Sequence, residues 1–172
     1  MLLMIVPTLL ATAAAPAPVN PIQPGLSGQL ECHVPNDQAK TCQSLGSYAP
    51  IAGNRYANKT LVLLAPEGPV LLEVTSEVEV KNGAVCGPLR IEDLNAGHLI
   101  VAGRTLADAE AAPIKTQIAQ GMGAMMGKQV CSKLEPSANG FTVKTSIDGA
   151  YRAELDRPMR WVKPDEGCKV AP

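Results

Sequence analysis

The hydrophobic positions of this chain fall into two alternating systems separated by a helix-like stretch. In the first, Leu72, Val74, Val78 and Val80 occupy one parity, and Leu71, Glu73, Thr75, Glu77 and Glu79 the other. Side chains of a strand point alternately to opposite faces, so the pattern predicts a strand with a dry face and an acidic wet face. Ala65-Pro66-Glu67-Gly68 precedes it with proline at the second turn position and glycine at the fourth, the type I arrangement. Asn82-Gly83 follows it, a pair that tolerates positive φ and signals a tight hairpin. Residues 60–86 therefore read as a three-stranded antiparallel meander ending at Cys86.

The second system begins at residues 128–134 (KQVCSKL), which read as a strand carrying Cys131. Residues 141–147 alternate, with Phe141, Val143 and Ile147 inward, and Asp148-Gly149 supplies another hairpin turn. On the returning strand Tyr151, Ala153 and Leu155 oppose Arg152, Glu154 and Asp156, and residues 159–163 offer a last strand with Trp161 as its largest anchor. Between the two systems, Gly87-Pro88 stops a strand. Residues 91–95 make one helical turn, with Gly97 as a left-handed stop. Residues 98–102 read as a further strand.

Thr105 then has the place of an N-cap with Asp108 three residues on. The helix it opens meets Pro113, which kinks it or starts a second helix. Ile114, Ile118, Met122, Met125 and Met126 recur at helical spacing and would cover the apolar face of the sheet. Gly121 and Gly123 each weaken that helix by about 1 kcal/mol relative to alanine. The glycines at 121, 123 and 127 follow a helix and lack the Lys-Ser/Thr of a phosphate loop. The predicted fold class is α+β: an antiparallel sheet of meander and hairpins, with strands enough for a partly closed barrel, and one main, kinked helix on one face.

Residues 29–56 show no sustained period, and Pro35, Asn36, Asp37, Gly46, Pro50, Gly53 and Asn54 mark them as loop-rich, apart from a short strand at 30–34. Asn58-Lys59-Thr60 is a formal N-glycosylation triplet. The N-terminus differs in kind. No charged side chain precedes Glu31, and the apolar run MLLMIVPTLL is far shorter than the roughly 20 residues of a membrane span. Ala11-Thr12-Ala13 follows it with small-x-small spacing. Residues 1–13 thus read as a cleaved signal peptide, although the leader carries no Lys or Arg and Pro7 interrupts it. Residues 14–28, with prolines at 16, 18, 21 and 24, read as an extended linker, and residues 29–172 as a single domain.

Charge narrows the partners. The net charge of −1 and the absence of a basic run argue against nucleic acid, and no polybasic or amphipathic segment points to a membrane surface after signal cleavage. The aromatics are few (Tyr48, Tyr56, Tyr151, Phe141 and Trp161), so stacking platforms are scarce.

Five cysteines at 32, 42, 86, 131 and 168 contain no C-x-x-C, which indicates neither a zinc ribbon nor a dithiol redox pair. In an exported protein the expectation is disulfides with one thiol over. Spacing alone does not choose among the pairings. The local loop favours Cys32–Cys42, and the valine-led strand contexts of the other two favour Cys86–Cys131. Loop entropy assigns them about 3 and about 4 kcal/mol. Cys168 is left free, with Lys169 of one charge and Asp165 and Glu166 of the other beside it.

Candidate chemistry is sparse. His33 adjoins Cys32, but with Cys42 it falls short of the three or four ligands zinc takes, and a histidine beside a disulfide reads as solvent-facing. His98 would serve as a general base only beside a distant partner such as Asp156 or Asp165. No G-x-S-x-G, H-E-x-x-H or S-x-x-K is present. The acids at 73/77/79, 92/93, 108/110 and 165/166 read as solvated faces and helix starts. No cofactor is indicated.

The segments VCGPLRIEDL (85–94), GKQVC (127–131) and RWVKPDEG (160–167) behind a short leader resemble a group of small exported bacterial proteins with no assigned activity. The resemblance implies an envelope location and supplies no catalytic residue. The expectation is a periplasmic or secreted, non-enzymatic module that binds an envelope protein or a small ligand. The alternatives are a hydrolase assembled from His98 and distant carboxylates, and a thiol-active protein using Cys168.

Overall fold

The computed structural model describes residues 20–172. The predicted signal peptide and the first residues of the predicted linker lie outside the described residues. Regular structure is already present before the expected start near Gly28. Asn20 closes a turn with its side chain accepting from Ile22 N, and the four-residue helix α1 (Gln23–Leu26) follows. Pro24 sits in the first turn of α1, where a backbone N–H has no helical partner to lose, so proline closes a turn here rather than extending the chain. Ile22 is 1% exposed.

The strands then run β1 (Leu30–His33), β2 (Thr41–Cys42), β3 (Ser44–Ala52), β4 (Arg55–Ala65), β5 (Val70–Lys81) and β6 (Ala84–Pro88). Helix α2 (Ile91–Ala96), β7 (His98–Val101), β8 (Arg104–Thr105) and helix α3 (Asp108–Gly121) follow. The C-terminal part holds β9 (Gln129–Ser137), β10 (Gly140–Ile147), β11 (Ala150–Tyr151), β12 (Arg157–Val162) and β13 (Lys169–Val170).

Neighbouring strands run in the order β4-β3-β1-β12-β10-β9-β6-β5, and β5 pairs back onto β4, so eight antiparallel strands close a barrel. Closure removes the edges that an open sheet would expose. The meander is β4–β5–β6, and its turns are as predicted: Asn82 and Gly83 take φ of 53° and 74°, and Asp148 and Gly149 take 49° and 81°. The acidic face of β5 is the outer one, where Glu73 meets Lys59 at 3.0 Å and Glu77 meets Arg55 at 2.8 Å.

In place of one main helix the described residues hold three, of 4, 6 and 14 residues, and the second is the helical turn read at 91–95. Thr105 belongs to β8, α3 starts after Ala107, and it ends at Gly121, with residues 122–127 in turns. Pro113 is carried inside α3. Helices α2 and α3 together cover one region of the barrel, where Leu72, Leu94, Leu99 and Ala111 are buried and Ile114, Ile118 and Met126 pack on them. Lys115, 8% exposed, donates from Nζ to the Asn95 carbonyl at 2.6 Å, placing a cation on the C-terminal end of α2. Gly97 has φ of −68°, not left-handed. Glycine is needed there for room, because a Cβ would stand 2.8 Å from the Glu73 carbonyl oxygen.

A second buried cluster lies on the outer side of β1: Cys32, Cys42 and Val162, with Leu30, Leu45 and Cys168 against them. Here β13 pairs parallel with β2. The strand expected at 151–156 reduces to β11 and a 3-10 turn, leaving Tyr151 55% exposed.

Candidate functional site: the barrel lumen

The register fixes which side chains face inward. The pairs Glu31↔Gly46, Gly46↔Thr60 and Thr60↔Val74 form one row across β1, β3, β4 and β5, and Tyr48↔Asn58↔Ser76 a second. Residues paired directly across strands share a face, so these rows line the lumen. The cavity, partly open to solvent, measures about 430 Å³. That is the size range of small-molecule sites, roughly 300–1,000 Å³. Its wall is apolar along Val62, Leu72, Val74, Val78, Val85 and Val130, and α2 and α3 bring in Leu94, Ile118, Met122 and Met126.

Onto this lumen opens one buried polar cluster. Glu31 and His33 lie two residues apart on the inner face of β1, with His33 Nε2 3.2 Å from Glu31 Oε1. The Tyr48 hydroxyl donates to Glu31 Oε2 at 2.5 Å. Glu31 is 7% exposed. Burial pushes its carboxyl up, but the hydrogen bond and charge of His33, joined by the Tyr48 hydroxyl, outweigh burial and hold it below the ordinary value. Burial first, then the charge and hydrogen bond of Glu31, push the Tyr48 phenol well above its ordinary range. Glu31 is therefore the ionised acceptor and Tyr48 the neutral donor.

A carboxylate accepts only, so the His33 nitrogen that faces Glu31 carries a proton. His33 Nδ1 is buried and meets no partner. Asp93, on α2, also lines the cavity, and its Oδ2 is likewise buried without a partner. Deeper support comes from Trp161, whose ring centroid lies 6.2 Å from that of Tyr48. Gly25 of α1 fits against both rings: a Cβ there would stand 2.8 Å from Tyr48 and 3.1 Å from Trp161.

One gap in the wall lies along β5. One edge of β5 pairs with β7 through residues 70–73 and with β6 through residues 79–81. Between them, residues 74–78 have no strand on that edge. Helix α2, the connection between β6 and β7, contacts β5.

His33, read from sequence as solvent-facing, stands in the lumen instead, because β1 turns its odd-numbered side chains inward. The predicted cysteine pairs are both at covalent distance, 2.02 Å for Cys32–Cys42 and 2.15 Å for Cys86–Cys131. The first ties β1 to β2, and the second joins residues directly paired across β6 and β9. Cys168 is free, half-buried, with its Sγ 3.9 Å from Arg160 Nη2.

His98 is exposed on β7 and pairs across the sheet with Glu73, not with the distant acids envisaged for it. Asp156 accepts from Lys144 Nζ at 2.6 Å and from the Tyr151 hydroxyl, and β9, β6 and β5 lie between Lys144's strand and β7. Asp165 lies in a 3-10 turn near the C-terminus. The side chains of Asn58 and Thr60, in the glycosylation triplet, face the lumen and bond to each other at 2.9 Å. Among the described residues, no three His, Cys, Asp or Glu side chains converge to hold a metal ion, and no helix is long and apolar enough to cross a membrane.

Comparison with known proteins adds nothing. No protein-family model, no curated protein and no solved structure matches this chain.

Sequence reasoning missed Glu31, Tyr48 and Asp93. The signal was present in residues 29–56 and just beyond: polar or small residues at Glu31, His33, Gly46, Tyr48, Asn58 and Thr60 hold one parity of three strands. A hydrophobic-period search discards such strands, because their inward face is the polar one. A wider outer hollow of about 740 Å³ lies between residues 34–43 and the C-terminus, but its one charged side chain, Asp37, is exposed and meets Arg160.

Proposed function

We propose that this protein binds a small, largely apolar molecule inside its barrel, serving as an exported binding module of the cell envelope. The observation that carries the reading is the buried Glu31–His33–Tyr48 cluster opening onto an apolar lumen of about 430 Å³. A fold selected only for stability fills such a space, since interiors pack to crystal-like density. A buried polar cluster on the wall of an apolar space is instead what orients a ligand. The two cysteine pairs support an oxidising compartment.

The hydrolase reading has less behind it, because His98 is exposed and Asp156 is engaged by Lys144 and Tyr151. The thiol reading rests on Cys168 alone.

The test is binding of the neutral fluorophore N-phenyl-1-naphthylamine, whose emission rises in apolar surroundings. Ser76→Phe, which places a ring in the lumen, should abolish saturable binding. Thr75→Phe, one residue along on the exposed outer face, should leave it intact. Equal binding by both variants would locate the dye elsewhere and overturn the reading.

A further inference from the structure

The charges and hydroxyls of the lumen wall point to the ligand's class, a step that rests on the lumen being the binding site. Four charged side chains line the space: Glu31, His33, Arg90 and Asp93. Glu31 and His33 answer each other as an ion pair at 3.2 Å. Arg90 and Asp93 are of opposite sign and stand together at the start of α2, so that end of the space carries no net charge either. Arg90 is also exposed, and water screens the attraction it would offer an anion. An ion leaving water for this lumen therefore finds no unmatched charge to offset its lost hydration.

What the wall does offer is a neutral polar strip. Tyr48, Asn58 and Ser76 are paired directly across β3, β4 and β5, and Thr60 stands on the next inward rung of β4. The Thr60 hydroxyl donates to Asn58 Oδ1 at 2.9 Å, which leaves the Thr60 oxygen as an acceptor. One N–H of the Asn58 amide reaches the Ser47 backbone carbonyl at 3.4 Å, and the amide has a second to give. Among the described residues nothing bonds the Ser76 hydroxyl, and it is not one of the polar atoms closed off from solvent. A hydroxyl suits this strip, since one such group accepts from Asn58 and donates to Ser76 or Thr60 at once. The rest of the lining is mainly apolar, with Val62, Val85 and Val130 from the strands and Met122 and Met126 after α3.

We propose that the ligand is an uncharged amphiphile, an apolar body bearing a hydroxyl, with the hydroxyl on the Asn58–Ser76 strip. The apolar body then lies along the valines, and the two methionines adapt to its shape. Carboxylates and amines built on the same body are poor ligands.

The test compares propylbenzene, 3-phenylpropanol, 3-phenylpropionate and 3-phenylpropylamine by displacement of the bound fluorophore from the unaltered protein at pH 7. The alcohol should displace at roughly tenfold lower concentration than either ion. It should also match propylbenzene within about threefold, because an unpaired hydroxyl would lose roughly tenfold or more on leaving water. Ser76→Ala should set the alcohol back relative to propylbenzene by about three- to tenfold. An ion equal to or better than the alcohol overturns the uncharged ligand and leaves the binding site standing. An alcohol further behind propylbenzene than about threefold overturns the hydroxyl contact. An unchanged ratio in Ser76→Ala overturns the strip as its holder. No displacement by any probe, with dye binding unaffected by Ser76→Phe, overturns the site itself. The ranking on the unaltered protein needs no variant to fold.

Discussion

Two arcs of the same barrel wall are built on opposite principles. Along β10 and β12 the inward side chains interlock: Val143 and Met159 are 1% exposed and Ile147 7%. Along β1, β3, β4 and β5 the inward positions hold Glu31, Gly46, Tyr48, Asn58, Thr60 and Ser76, and a void opens between them. One arc is a core and the other a container. Strand pairing supplies both with the same backbone ladder, so the difference lies entirely in which residues occupy one parity. Stability and the proposed binding should thus be separable in this fold, and substitutions can address them independently.

The largest separation is expected from Val143→Ala on the packed arc, whose strand partners Leu134 and Arg157 do not line the lumen. Trimming that fully buried side chain should cost about 1.5–3 kcal/mol, read as a lowered denaturant midpoint, with fluorophore affinity in the folded fraction unchanged. Loss of binding without loss of stability would break the comparison. Gly25→Val comes next. It wedges a side chain between Tyr48 and Trp161, a cost of about 1–3 kcal/mol. Because the chain holds one tryptophan, the same variant should shift the emission of Trp161.

Glu31→Gln sharpens the contrast through pH. The folded Glu31 carboxyl lies below its unfolded value of about 4.5, so its contribution is present above that pH and is lost as pH falls through the folded value. The variant should be less stable than the parent at pH 7 by about 1–3 kcal/mol, and the gap should close on acidification below about pH 4.5. Thermal midpoints across pH 3 to about 7 decide it; a gap that stays constant would contradict the cluster as drawn. The smallest effect belongs to the outer face. Glu77→Ala removes an exposed pair with Arg55 and should change stability by no more than about 1 kcal/mol, and fluorophore binding not at all.

The packed arc was legible in the sequence and the container was not. Phe141, Val143 and Ile147 alternate with polar residues because their strand has a dry inner face, and the Asp148-Gly149 turn fixes where it reverses. The β5 alternation was legible for the same reason. By contrast, the hairpin of β3 and β4 looked like loop because its inner face is polar, which erases the hydrophobic period that strand detection relies on. His33 was misplaced by its neighbour: Cys32 points outward to Cys42, and the next residue of a strand must point the other way. Local rules failed where the candidate site lies, as expected of a site that trades packing for recognition. The helical turn read at 91–95 is α2, but the long stripe after it stops short for a different reason. Pro113 and the glycines after it broke the amphipathic stripe, and tertiary contacts with Leu72 and Leu99 decided what remained helical.

The position of β12 between β1 and β10 has a consequence for how the molecule comes into being. Leu30 is paired with Val162, so the first barrel strand has no complete wall until residues 157–162 are present. Contacts of such long sequence separation form late and slowly. Until those residues pair, the chain has hairpins and no closed interior. The lumen is a property that arrives all at once, with residues 157–162.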